Sequence, residues 1–262
     1  MDLGIKINKM MLFGLGRELW MEKAPKVEIF QDCKELAPWE KLLKQLLWRQ
    51  IGDVRGKRIL DYGSGLGVTA NHYARYNQVV AIEPAKERVL ERVQVQEYQQ
   101  LEGGLEVLKQ LPDDYFDVVF CHNVLEYAVE RKEIVKELQR VLRPGGFLSL
   151  VKHNRAGRVM QMAILLDDFE RANALLDGKA SMTSGYGAID YYEDEDALIW
   201  GDKLSLERNF GIRTFWDLQQ NQEKHATDEW QEQMMQLEQR VAEKEEYRAI
   251  AFFHHLILRK HI

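Results

Sequence analysis

A chain of 262 residues, 45% hydrophobic and 30% charged, holds enough apolar side chains for one large packed domain or two small ones. A net charge of −6 excludes nucleic-acid binding driven by overall charge and leaves only a local basic patch for that purpose. Two cysteines, Cys33 and Cys121, make neither a disulfide framework nor a metal-ligand cluster, so no metal is expected and a reducing cytoplasm fits.

Residues 1–33 read as a weakly patterned N-terminal extension. Its apolar run Met10–Gly16 is too short, and too soon charged, for a signal peptide or a membrane span. With Lys6 and Lys9 it forms either a short amphipathic lid or a loosely packed arm. From residue 34 the pattern is that of one domain reaching to 262. Pro38 suits a first helical position, and Trp39, Leu42, Leu43, Leu46 and Leu47 follow at helical spacing as far as Ile51. Gly52 and Gly56 mark the loop into a first strand at 57–62. A helix carrying Ala70, Tyr73 and Ala74 comes next, then a strand Gln78–Glu83. A further helix begins near Ala85, with Val89, Leu90 and Val93 on one side, and a weak strand lies near 98–102. Tyr115–Cys121 is a continuous apolar run, as expected of a strand buried on both faces, with Cys121 a small core residue. Ile134, Val135, Leu138, Val141 and Leu142 build a helix that Pro144-Gly145-Gly146 stops, and Phe147–Val151 is the next strand. This alternation predicts an α/β sheet with right-handed crossovers and helices on both faces.

After residue 151 the rhythm changes. Residues 155–203 read as a helical and loop-rich insertion with an acidic run at Glu193–Asp196, and 204–215 as an extended strand. In 227–246, Trp230, Met234, Leu237 and Val241 predict an amphipathic helix packed on the core, and Ile250–Arg259 a closing strand.

The chemistry concentrates at Asp61-Tyr-Gly63-Ser64-Gly65-Leu-Gly67. Three glycines in five residues let the backbone turn sharply and come close to a ligand, and the helix that follows turns free N–H groups toward the same space. Asp61 adds a carboxylate at the mouth. Glu83 ends the second strand, where a carboxylate can accept both ribose hydroxyls of an adenosine-containing ligand. Leu105 and Glu106 lie in the loop before the fourth strand. There Leu105 can pack an adenine face while Glu106, or nearby Glu102, accepts from its amino group. His122 follows the fourth strand and borders the same crevice. Glu126 reads as a helix-end residue. Lys152, His153, Arg155 and Arg158, with Arg208 and Arg213, form either a phosphate-binding rim or a solvated cationic loop.

The spacing G-x-G-x-G after an acidic residue differs from the dinucleotide fingerprint and resembles the first motif of class I methyltransferases. Together with Glu83-Pro84, the run Cys121–Tyr127 and the run Val141–Leu150, it makes residues 57–151 similar to the core of that superfamily. The resemblance implies a Rossmann-like fold with a mostly parallel seven-stranded sheet, S-adenosyl-L-methionine as cofactor and S-adenosyl-L-homocysteine as product. A narrower resemblance, carried by Leu150–Gly157, Phe210–Phe215 and Phe253–Lys260, is to the bacterial tRNA carboxymethoxyuridine carboxyl-methyltransferases, the SmtA-like family. It implies cofactor contacts at Gly63, Ser64, Glu83, Leu105, Glu106 and His122, a substrate carboxylate held by Arg213, and tRNA as partner. The chain departs from that family in two places. The family's cofactor-touching arginine on the first helix falls at Leu43, between Lys41 and Lys44, and residues 160–200 match poorly. Direct displacement by an ionised carboxylate needs no base. An amine or hydroxyl acceptor would call on His122. Two other readings are a methyltransferase of a small metabolite and a non-catalytic module that binds the cofactor. Neither a membrane nor a metal has a part in any of these.

Overall fold

The computed structural model describes residues 36–179, 181–183 and 187–261. The extension 1–33, with its lid or arm and Cys33, lies outside the described residues. Helix α1 (Pro38–Ile51) starts on its proline and buries Leu42, Leu43, Leu46 and Leu47, which pack with Val151, Ile212, Phe252 and Phe253. Next come β1 (Arg58–Tyr62), α2 (Val68–Ala74), β2 (Gln78–Glu83), α3 (Lys86–Leu90), β3 (Gln99–Glu102) and α4 (Leu105–Leu108). They are followed by β4 (Phe116–His122), α5 (Arg131–Val141) and β5 (Leu142–His153). The closing strands are β8 (Leu204–Ile212) and β9 (Phe253–Lys260). The sheet has 7 strands in the order β3-β2-β1-β4-β5-β9-β8, and β9 runs against both its neighbours. This is the α/β architecture expected from the sequence.

Because the first five strands are parallel, Tyr62, Glu83, Glu102, His122 and His153 end at one edge of the sheet. Strand β8 runs the same way and delivers Arg213 to that edge, beside the first residue of β9, Phe253. Ligands of open α/β sheets bind at such carboxyl ends.

Between β5 and β8 the insertion folds as α6 (Arg155–Met160), continued by a π-helical turn at Gln161–Leu165, then α7 (Phe169–Leu176). A small hairpin of β6 (Ser181–Thr183) and β7 (Gly187–Ile189) follows, then α8 (Asp194–Trp200). Asp194 fastens α8 to the sheet. Its carboxylate accepts from Lys152 Nζ at 3.0 Å, from Asn209 Nδ2 at 2.8 Å, and pairs with His254 Nδ1 at 2.8 Å. After β8 come α9 (Gln222–His225), α10 (Asp228–Val241) and α11 (Glu245–Arg248).

Three details differ from the sequence pattern. Helix α3 ends at Leu90, which is exposed. Val93 leaves the helix because its N–H donates to Leu66 O at 2.8 Å and its carbonyl accepts from the Tyr98 hydroxyl, which ties it to the glycine turn. Strand β5 starts at Leu142 and carries Pro144-Gly145-Gly146 as a register shift, since Pro144 has no N–H to give to the ladder. Helix α10 packs on the core as expected, but its buried line is Gln231, Met235, Glu238 and Val241, while Leu237 is exposed. The rotation has a cause. Glu238 accepts from the backbone N–H groups of Thr214 (2.9 Å), Phe215 (2.9 Å) and Trp216 (3.3 Å), so the turn after β8 draws its carboxylate inward.

Candidate active site

The glycine turn closes β1 with left-handed backbone at Gly63, Gly65 and Gly67. At Gly67 a Cβ would stand 2.3 Å from the Tyr98 hydroxyl, so only glycine packs there. At Gly65 a Cβ would meet nothing within 4 Å. That open side is where a ligand can approach the backbone. Glu83 is buried and braces this turn: Oε2 accepts from Gly65 N–H at 2.8 Å and Oε1 from Ala85 N–H at 3.1 Å. A carboxylate has about four lone-pair sites, so two remain for hydroxyl donors.

Asp61 lies under the turn, buried, with Oδ2 lacking any hydrogen-bond partner. Burial pushes its carboxyl up to about 6, and the Lys44 ammonium opposes that rise. Lys44 reaches in from α1 and donates to Thr69 Oγ1 at 2.9 Å. Leu43, the position to which the family's helix arginine maps, is buried in the core instead. Lys44, beside that position, is the cation at this mouth. Ser64 Oγ and Asn123 Oδ1 are two more buried acceptors without partners.

Leu105 and Glu106 open helix α4 and do not lie in a loop. Leu105 is half-buried, and Glu106 is exposed with Oε1 accepting from Gly104 N–H at 2.8 Å. That hydrogen bond holds the Glu106 carboxyl below its ordinary range.

His122 ends β4. Its Nε2 is 2.8 Å from Ser149 Oγ, which is 2.8 Å from His255 Nε2, and His255 Nδ1 is 2.8 Å from Gln50 Oε1. This chain crosses from the carboxyl edge of the sheet to α1 through the fully buried Ser149 and His255. Burial, with His255 and Lys44 nearby, holds His122 well below its ordinary range. Burial brings His255 down to about 3. Both rings are therefore neutral near pH 7. His122 Nδ1 is buried without a partner. Cys121 is buried, and its thiol is pushed up, so it is inert core as expected.

On the other side of His122 lies a polar cluster that the sequence did not reveal. Arg213 is 7% exposed and has a left-handed φ of 61°, so the strand alternation expected for 212–214 breaks there, and Ile212 and Thr214 are both buried. Its Nε donates to Asp217 Oδ2 at 2.9 Å and its Nη2 to Asp217 Oδ1. The guanidinium lies 4.8 Å from the Phe252 ring and 5.3 Å from Phe253. Arg158 is also buried and donates to Gln161, whose amide donates to Asp217 at 3.3 Å. His153 is held down to about 3 by burial and by the charges of Arg158, Arg213 and Lys152. Glu126 lies in a single helical turn, Leu125–Tyr127, and is fully buried. Its Oε2 has no partner, and burial pushes its carboxyl up to about 7.

The six residues read as either a phosphate-binding rim or a solvated cationic loop are largely engaged or buried. Lys152 is spent on Asp194, Arg208 forks Glu243 on the surface, His153 is neutral, and Arg158 and Arg213 are internal. Arg155 stacks over Tyr191 at 5.5 Å. Among the described residues, no group of His, Cys, Asp and Glu is placed to hold a metal, and no helix is long and apolar enough to cross a membrane.

Comparison with known proteins agrees with this geometry. A family described as a methyltransferase domain matches residues 60–150, from β1 to β5. The tRNA 5-carboxymethoxyuridine methyltransferase of Escherichia coli K12 is 26% identical over 236 residues, 84% of this chain and 88% of that protein. The ubiquinone biosynthesis O-methyltransferase of Aeromonas salmonicida is 33% identical over 121 residues, 42% of this chain and 50% of its own length. Among solved structures, a putative S-adenosylmethionine-dependent methyltransferase from Listeria monocytogenes superposes with a TM-score of 0.56 at 14% identity, covering 86% of this chain and 98% of that one.

Proposed function

The chain is an S-adenosylmethionine-dependent methyltransferase with the class I fold, and we propose that its acceptor is a carboxylate on a modified wobble uridine of tRNA. The residues at the glycine turn fit the cofactor. Gly65 leaves its backbone open, Glu83 keeps two lone pairs for ribose hydroxyls, and Asp61, Ser64, His122 and Asn123 each hold a buried acceptor atom without a partner. Lys44 supplies one positive charge among those acceptors, so the set complements a ligand end that carries both an ammonium and a carboxylate. Leu105, which opens α4 just after β3, can pack the adenine face, and Glu106 can accept from the adenine amino group in exchange for its Gly104 hydrogen bond. When bound, S-adenosylmethionine supplies an electrophilic methyl group on a sulfonium.

One observation carries the acceptor assignment. Arg158 and Arg213 are both buried, Arg213 forked on Asp217 and Arg158 joined to the same carboxylate through Gln161, so two guanidiniums share one polar cluster at this edge of the sheet. A guanidinium presents a planar fork of donors that matches a carboxylate, so such a cluster suits a substrate of that class. A relative similar over 84% of this chain is named a tRNA 5-carboxymethoxyuridine methyltransferase, and that nucleoside carries a carboxylate. The reaction needs no proton transfer. A carboxylate oxygen forms the new bond to the methyl carbon, the carbon–sulfur bond breaks, and its electron pair stays on sulfur. Near pH 7 the nucleophile is already ionised, so the protein's work is alignment and exclusion of water.

The ion pairs that engage Lys152, with Asp194, and Arg208, with Glu243 on the surface, favour a second reading, in which the acceptor is a small free carboxylate and no RNA phosphate is bound. The two readings part in one experiment. Purified protein and methyl-labelled cofactor are incubated with RNA and with small-molecule fractions of bacterial cells. Label in the tRNA nucleosides supports the first reading. Label confined to the small-molecule fraction replaces it with the second.

A further inference from the structure

The chain His122–Ser149–His255–Gln50 has a direction, and that direction decides what His122 presents to a ligand. A neutral imidazole carries one N–H and one lone pair, and a serine hydroxyl has one proton to give. Each link therefore fixes the next. The chain ends at the Gln50 amide, whose orientation is set by its other contact. Nε2 lies 3.5 Å from the carbonyl oxygen of Gly211, which can only accept, so the NH2 end belongs there and Oε1 faces His255. His255 must then donate through Nδ1–H, which leaves Nε2 as an acceptor. Ser149 gives its proton to that nitrogen at 2.8 Å. The Ser149 oxygen accepts from His122 Nε2–H, also at 2.8 Å. The remaining nitrogen, His122 Nδ1, is left with a bare lone pair, and this is the atom that is buried without a partner.

We infer that Gln50, His255 and Ser149 are positioning residues that lock His122 in its Nε2–H form, with Nδ1 kept as a hydrogen-bond acceptor for an N–H donor of the bound cofactor. The inference rests on the cofactor class and not on the identity of the methyl acceptor. The position of His122 supports it. The ring ends β4, between Asp61 on β1 and the end of β5, and the charge of Lys44 acts on both Asp61 and His122. Two unpartnered acceptors, Asp61 Oδ2 and His122 Nδ1, thus share one mouth and call for a donor such as an ammonium. The opposite tautomer would put an N–H there and repel one. It would also reverse every link back to α1, where Gln50 cannot follow without turning its amide oxygen onto the Gly211 carbonyl.

The test needs no methyl acceptor. Full-length protein labelled with ¹⁵N-histidine is examined by long-range ¹H–¹⁵N correlation, with the His122 signals assigned by their loss in His122→Gln. The parent is expected to show the proton on Nε2 and a non-protonated Nδ1. Gln50→Leu, at a half-buried position on α1, removes the terminal acceptor. His122 should then populate both tautomers, and affinity for S-adenosyl-L-homocysteine by calorimetry should fall roughly three- to tenfold. A protonated Nδ1 in the parent would overturn the inference. So would Gln50→Leu with parental tautomer and affinity, or a tautomer change that leaves affinity untouched. A purely structural role for Gln50 would lower stability in Gln50→Leu without moving the tautomer ratio.

Discussion

Arg213 grips Asp217 with both prongs of its guanidinium, four residues along the chain and out of reach of solvent. The fork expected to hold a substrate carboxylate thus already holds one of the protein's own. Arg158 is joined to the same carboxylate through Gln161, so an incoming carboxylate must share this cluster with Asp217.

Asp217→Asn tests that arrangement. Removing one partner of a buried ion pair typically costs about 3–5 kcal/mol, so the variant should melt well below the parent. Arg213 would then lose its ionised partner, and acetate at tens of millimolar should raise the melting temperature of Asp217→Asn more than that of the parent. Equal responses would mean that the cluster does not take carboxylates.

Glu83 does two jobs on the present reading, bracing Gly65 and receiving ribose hydroxyls. Glu83→Ala should weaken cofactor binding, each lost charge-assisted hydrogen bond being worth about 1.5–3 kcal/mol. Glu83→Gln keeps an acceptor for Gly65 N–H and should lose less stability than affinity. Calorimetry with S-adenosyl-L-homocysteine, alongside thermal melts, separates the two. Parental affinity in the alanine variant would move the ribose elsewhere.

Stability should rise with pH from about 4 to the ordinary histidine range near 6.5. Burial holds His72 down to about 4 and His153 and His255 to about 3, so the folded state binds fewer protons than the unfolded one across that window. Glu126, pushed up to about 7, works the other way: it keeps its proton when folded, and stability is lost from about pH 4.5 to 7. Glu126→Gln removes that opposing contribution. Its melting temperature should climb more steeply than the parent's between pH 5 and 7, and parallel curves would show that Glu126 is not held protonated.

Asp194 joins α8 to β5, β8 and β9 through Lys152, Asn209 and His254. Asp194→Ala leaves the buried Lys152 ammonium unpaired, and a loss of a few kcal/mol follows from breaking such a pair. Hydrogen exchange should quicken in α8 and its flanks while β1, β2 and β4 keep their protection. Uniform loosening would mean that the insertion and the sheet unfold as one unit.

The sheet was largely legible in the sequence because its signals are local. Gln78–Glu83 is bounded as read, and the apolar run ending at Cys121 marks a strand buried on both faces. Glycine spacing located the turn beside Glu83. What escaped was polar pairing across long separations. Nothing local ties Gln50 to His255, Lys44 to Thr69, or Lys152 to Asp194. The face of α10 is legible only in part for the same reason: Trp230 and Met234 pack on the core and Val241 is buried, while Leu237 is exposed. Hydrophobic periodicity favoured Leu237, but three backbone donors of the turn after β8 pull Glu238 inside. The basic rim failed because side-chain partners, not charge counts, decide which cations face water.

Arg213→Lys retains the charge and loses the fork. Methyl transfer is expected to fall at least about tenfold, roughly 1.4 kcal/mol in barrier, with cofactor affinity nearly constant. An unchanged rate would remove Arg213 from the acceptor site and direct attention to amine or hydroxyl acceptors near His122.

Methyl transfer to a carboxylate has a chemical signature of its own, because the product is an ester. The decisive measurement is the lability of label transferred from methyl-labelled S-adenosylmethionine to tRNA. After mild alkaline treatment the label should leave the RNA as volatile methanol, in parallel with loss of the labelled nucleoside. Label that stays on the nucleoside through alkali would place the methyl on nitrogen, carbon or an ether oxygen and contradict a carboxylate acceptor.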